Sequence, residues 1–204
     1  MPDYKRQLFA AARKTCFLAL SSLSLCSCGG SSLVSPAKNS SIMDTTFQLP
    51  ARPGEKPATT PSNPHTQLNQ QSGDRAIIES VTLWAFTTLP KAEEQPTRIS
   101  VLGARAICLK REFPIVNQNA FMADREFAHF HPGSDGSMHL GLPMADAGEV
   151  IEKGWGELHP VVRKGWLPAN FVMVYAPRNE AEAEVLKKII YRSYQFATGE
   201  ISGN

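Results

Sequence analysis

Ile77, Ile78, Val81, Trp84 and Ala85 recur at the spacing of a 3.6-residue period and predict a helix over about 74–89, which Pro90 stops. The run Ile99 to Leu109 reads as a strand with Gly103 as a bulge. Residues 120–130 and 137–142 alternate on either side of Pro132-Gly133-Ser134-Asp135-Gly136, a cluster of turn formers, and together predict a β-hairpin. A helix over Ala145 to Lys153 is closed by Gly154, and Asn170 to Tyr175 is a short apolar strand. The last helix, about 180–197, carries the fullest set of signals. Asn179 caps it, Glu182 stands at the capping-box position and Gly199 can end it. Val185, Leu186, Ile189, Ile190 and Phe196 form its apolar face, with acids early and Lys187, Lys188 and Arg192 later, as the helix dipole favours. Strands between helices, with no internal repeat, predict an α+β domain: one antiparallel sheet with helices packed on one face, a single small domain over 74–204.

Upstream of Asp74 the pattern changes twice. Lys5, Arg6, Arg13 and Lys14 precede an apolar stretch, Cys16 to Leu25, that is too short to span a bilayer comfortably. It ends in Leu25-Cys26-Ser27-Cys28-Gly29-Gly30, which resembles a bacterial lipoprotein box with Cys28 as the lipidated first mature residue. Cys26 would place the bulky Leu25 at the cleavage position, and an ordinary signal peptide or an uncleaved anchor are the alternatives. We expect residues 1–27 to be a signal peptide and 28–73, rich in Ser, Thr, Pro, Asn and Gln, to be a tether without a packed core. The proline-rich half of that tether can also lie along the domain as an extended strap, touching it through His65 and Leu68.

Removal of residues 1–27 leaves 17 basic against 18 acidic residues, so the net positive charge belongs to the leader and no basic face argues for nucleic acid. Removing the leader changes the cysteine count as well. Only Cys108 remains beyond the leader and Cys28, so there is no partner for a structural disulfide, and its apolar neighbours Ile107 and Leu109 mark it as a buried small hydrophobe.

The chemistry concentrates late in the chain, where four of the five histidines fall between Glu126 and Arg178. Alternation puts His129 and His131 on one face of a strand, with Phe127. A turn centred on Ser134 sets His129 opposite His139 and His131 opposite Ser137, whereas a one-residue slip would send His139 to the other face. Three imidazoles on one patch admit three readings. They can form a divalent metal site (His129, His131, His139) with an open position. They can act without metal, one ring removing a proton from an enolic substrate and another stabilising the anion. They can also be hydrogen-bonded sheet residues. His159 precedes Pro160, which biases it to an extended loop that either closes the same pocket or bonds backbone.

Several blocks in this order carry a family resemblance. His129-x-His131, a polar turn, His139-Leu140, then Gly154-Trp155-Gly156-x-x-His159-Pro160 and Tyr175-Ala176-Pro177-Arg178-Asn179-Glu180 before a terminal helix resemble the fungal luciferase family and its bacterial relatives. The resemblance covers roughly residues 98–198. It implies an α+β fold and, for its light-emitting members, oxidation of a hydroxylated styryl-pyrone by molecular oxygen without an organic cofactor. Trp155 is then a substrate platform or a packing plug. Tyr175 is an oxyanion donor or a core residue, and Arg178 an anion binder or the partner of Asp124 or Glu126.

Two classes of function follow. One is an envelope-anchored, periplasm-facing oxygenase-like enzyme acting on a small enolic or aromatic molecule, with His129, His131, His139 and His159 catalytic and Trp155, Tyr175 and Arg178 binding substrate. It uses no cofactor or, alternatively, a divalent metal. The other is a non-catalytic envelope lipoprotein that binds a ligand or protein partner. The enzyme requires the four imidazoles to converge on a concave pocket; the binding module requires an exposed apolar groove.

Overall fold

A computed structural model describes residues 47–203. The leader, Cys28 and the first part of the expected tether lie outside the described residues. No described helix is long and apolar enough to cross a membrane.

Helix α1 (Arg75–Thr88) is capped by Asp74, whose side chain accepts from Ala76 N–H at 2.9 Å. Then come β1 (Ala92–Pro96), β2 (Arg105–Leu109), a 3-10 turn (Gln118–Ala120), β3 (Glu126–Phe130), β4 (Met138–Gly141), α2 (Met144–Glu152), β5 (Gly156–Leu158), β6 (Phe171–Val174) and α3 (Glu180–Thr198). The six strands form one antiparallel sheet in the order β1-β2-β3-β4-β6-β5. Ile107, Leu109, Ala128, Phe130, Leu140, Val172 and Val174 point to one face and join Val81 and Ala85 of α1, Val150 of α2 and Leu186, Ile189 and Ile190 of α3 in a single core. The fold is α+β with its helices on that face.

The terminal helix forms as its signals predict. Asn179 accepts from Glu182 N–H at 3.0 Å, and Gly199, at φ 75°, ends the helix in the left-handed region. The Glu182 carboxylate reaches one residue further back than a capping box requires and accepts from Arg178 N–H at 2.9 Å.

Expectation and structure differ in three places. The strand expected from Ile99 begins only at Arg105, because Gly103, at φ 86°, sits in a turn and is not a bulge within a strand. The polar edge strand β1 and the three-residue β5 carry too little apolar alternation to be read. The third difference bears on the site. Register shifts between Ile107 and Cys108, which pair with Ala128 and Glu126, so Phe127 is the extra residue of a bulge. Phe127 therefore leaves the histidine face and packs in the helix-side core against Tyr194, ring centroids 6.4 Å apart.

The second face of the sheet is covered by the chain before α1. Phe47 and Leu49 pack in the helix-side core, and from Arg52 to Ser72 the chain runs along the second face as the extended strap, with His65 and Gln67 buried and Leu68, expected as a contact, exposed. Polar hooks fix it. Leu49 N–H donates to Glu149 Oε1 at 2.8 Å, Arg52 N–H to Lys153 O at 2.8 Å and Gln67 N–H to Asp135 Oδ1 at 3.1 Å. Ala176 N–H, buried at the end of β6, donates to Gln67 Oε1 at 2.8 Å.

Candidate functional site

Directly paired residues share a face, so register alone builds a row across the strap side of the sheet: Gln95, Ala106, His129, His139, Met173 and Glu157. His131 lies two residues from His129, and its N–H bonds Ser137 O at 2.9 Å, the pairing that the turn spacing predicts. His159 follows β5, and its ring centroid lies 4.4 Å from that of His139. His65 comes down from the strap, stacked on His139 at 5.4 Å and edge-on to His159 at 5.3 Å. The fold thus gathers all five histidines.

Carboxylates surround them. His129 Nδ1 is 2.7 Å from Glu126 Oε1, which also accepts from the Thr97 hydroxyl at 3.0 Å. The bulge at Phe127 makes this contact, since regular alternation would put Glu126 on the helix side. His131 Nδ1 is 2.7 Å from Asp135 Oδ2, in the hairpin turn. His65 Nε2 is 2.9 Å from Glu157 Oε1, and Lys56 pairs with the same carboxylate. The rings also meet each other: His129 Nε2 is 3.0 Å from His139 Nδ1, and His139 Nε2 is 3.3 Å from His65 Nδ1.

His65, His129, His131 and His139 are each no more than 5% exposed, while His159 is half-buried. Burial disfavours the charged imidazole, so it lowers the pKa of His129 and His159, the latter to about 4, and holds His139 well below the ordinary value. Neighbouring rings push His139 and His159 further the same way. For Glu157 burial acts upward, but hydrogen bonds from His65, Lys56 and Thr59 outweigh it and hold the carboxyl at about 2. Burial likewise opposes ionisation of Asp135, and its bonds with His131 and Ser137 keep its pKa low.

A family model for the luciferase domain matches residues 124–193. The chain carries a luciferase domain. Curated relatives include the luciferases of Armillaria gallica and Armillaria mellea, each 32% identical over 171 residues that cover 76% of this chain and 63% of the relative. The luciferase of Neonothopanus nambi is 31% identical over 175 residues with the same coverage. The chain therefore spans 63% of the length of these relatives. No solved structure matches.

His129, His131, His139 and His159 all belong to the matched luciferase domain, whereas His65 is brought by the strap outside it. The other expected residues stand apart from the rings. Trp155 is a plug: it is 2% exposed and its Nε1–H donates to Pro50 O of the strap at 2.6 Å. Tyr175 is buried beneath Arg52, whose guanidinium carbon is 5.5 Å from the ring centroid, and its hydroxyl has no hydrogen-bond partner among the described residues. Arg178 pairs with neither Asp124 nor Glu126. It is tied to Glu182, to which Nε donates at 2.8 Å, and to Pro53 O at 2.7 Å. Asp124 instead faces Arg111 at 3.7 Å. Burial pushes the Cys108 thiol up to about 12, which leaves it inert.

Sequence reasoning missed the carboxylates of Glu126, Asp135 and Glu157, and gave His65 only as a contact of the strap and not as a member of the cluster. Asp135 had a local signal, four residues from His131 in the turn.

Proposed function

We propose that this chain is a luciferase-type oxygenase, anchored at the bacterial cell envelope through lipid on Cys28, and that its histidine cluster acts on a small enolic or aromatic molecule. The observation that carries this reading is convergence. The histidines of the matched domain meet at centroid separations of 4.4 to 5.5 Å, with a carboxylate on each of His129 and His131. The relatives bear the name luciferase, and the leader with its Leu25-to-Cys28 box supports the envelope.

Burial keeps these rings neutral, so each retains a lone pair able to accept a proton. One takes the proton of an enolic hydroxyl or an acidic C–H. His159 accepts from Val161 N–H at Nδ1, 3.2 Å, so its Nε2–H is free to donate to the anion that forms. The electron-rich carbon then reacts with molecular oxygen. The test is oxygen uptake and light emission by the full chain with hydroxylated styryl-pyrones and simpler enolic aromatics. Wild type should consume oxygen above the uncatalysed rate, and H159A should lower kcat about 10²-fold or more. No uptake with any of these compounds would overturn the enzyme.

A second reading has one observation in its favour: the strap covers the rings almost completely. A non-catalytic lipoprotein that binds a ligand or protein partner would keep such a cluster shut, and would bind the same compounds without turning them over.

A further inference from the structure

Hydrogen bonds fix the tautomers of four of the five imidazoles. A carboxylate only accepts, so His129 and His131 carry their protons on Nδ1, facing Glu126 and Asp135 at 2.7 Å each, and keep the lone pair on Nε2. By the same rule His65 carries its proton on Nε2, facing Glu157, and keeps the lone pair on Nδ1. His159 is the reverse of His129, because its Nδ1 accepts from Val161 N–H and its Nε2 is left with the proton.

His139 is the ring in the middle. Its Nδ1 is 3.0 Å from the His129 Nε2 lone pair and its Nε2 is 3.3 Å from the His65 Nδ1 lone pair. A neutral imidazole has one N–H. It satisfies one neighbour and sets a lone pair against a lone pair at the other, in a buried site where an unmade bond is costly. The cluster is short of one cation.

We infer that a divalent transition-metal ion fills this need, bound by Nε2 of His129, Nε2 of His131 and Nδ1 of His139. One ligand nitrogen from each of the three lies within 4.8 Å of the other two. With the ion there, His139 carries its proton on Nε2 and donates to His65 Nδ1, which passes the bond on from Nε2 to Glu157. Every nitrogen in the chain then has one role. A single extra proton would serve one pair of nitrogens, whereas the ion serves three.

Two further observations agree. Metal-bound imidazoles characteristically donate their other N–H to a carboxylate, and here His129 and His131 do so directly and His139 through His65. Glu126, Asp135 and Glu157 against the ammonium of Lys56 leave two negative charges around the rings, the complement of a divalent ion. The other trio of suitable spacing, His65, His139 and His159, fails because the free nitrogen of His159 holds a proton. Three imidazoles with a position left for water or substrate suit zinc and its neighbours in the first transition row. The site stands on hydrogen bonding and not on the catalytic reading, and with the ion in place the lone pairs of His129, His131 and His139 no longer serve as the base of that reading.

The experiment uses the full chain, purified in detergent, stripped with chelator and reloaded with Zn²⁺ as the probe. Wild type and H159A should each retain about one Zn²⁺ per chain through gel filtration, and H131A should retain none. E126Q and D135N, which keep every ligand, should bind Zn²⁺ about 10–100-fold more weakly. Circular dichroism checks each fold, and these two variants carry the test if H131A does not fold. Zn²⁺ lost in H159A but kept in H131A would overturn the assignment. A wild type that holds no Zn²⁺ would overturn the site, as would E126Q and D135N that bind it like wild type.

Discussion

The hydroxyl of Tyr175 is buried without a partner among the described residues, and burial pushes its pKa up. An unpaired buried hydroxyl costs about 1–3 kcal/mol, so removing it relieves a penalty and breaks no bond. Y175F should therefore be neutral to stabilising by about 1 kcal/mol, read from the urea midpoint at unchanged m-value. A clear destabilisation would mean that the hydroxyl donates a bond in solution. Trp155 makes the contrast, since its indole N–H does have an acceptor, in the strap. The site divides in the same residue-by-residue way. His129 opposite His139 was legible because a turn of known centre fixes register, and register fixes faces. Glu126 was not, because strict alternation sends it to the helix side, and a bulge that no local composition marks brings it back. His65 lay in a stretch with no period at all, so nothing in the sequence could aim it at a particular ring.

Among the elements, the strap departs most from what its composition suggests. Proline-rich sequence without apolar periodicity cannot form a packed layer of its own, and residues 47–72 hold their place through polar hooks and a few buried side chains. Helices α1 and α3 could be read because caps and apolar stripes act locally, whereas a strap is specified by the surface beneath it. The edge strand β1, Ala-Glu-Glu-Gln-Pro, was hidden for a related reason: charges that protect an edge also erase its alternation. Gln67 is the hook with the most at stake. Its side chain accepts from the buried Ala176 N–H at 2.8 Å and donates to Asn69 O at 2.7 Å. Q67A should cost about 1–3 kcal/mol, because the Ala176 N–H is then left unmet. The loosened segment should be cut faster by protease between residues 50 and 72 than in wild type. Equal cutting rates would show that the strap is held without this hook.

For the molecule as a whole, the cluster sets the response to acid. His129, His139 and His159 titrate lower in the folded chain than in the unfolded one, with His159 at about 4 against an unfolded value near 6.5. Between those values the unfolded state binds more protons, so stability rises with pH and is lost as pH falls through the window. Each ring that charges only on unfolding contributes a slope of up to about 1.4 kcal/mol per pH unit. The paired carboxyls act later. Glu157, held at about 2, and Asp135 lose their contribution only as pH falls below the ordinary carboxylate range. Urea unfolding of the chelated protein at pH 7.5, 6.5, 5.5 and 4.5 should therefore show a steady fall below about 6.5, well before carboxylates protonate. H159A should be less steep, since one of the depressed rings is gone. A profile flat from pH 7.5 to 5 would mean that the rings charge inside the folded molecule, which requires the strap to open to water without the core unfolding. Zn²⁺ separates this further. Protons and metal compete for the same nitrogens, so a loaded protein should start more stable at neutral pH and fall more steeply through the same window.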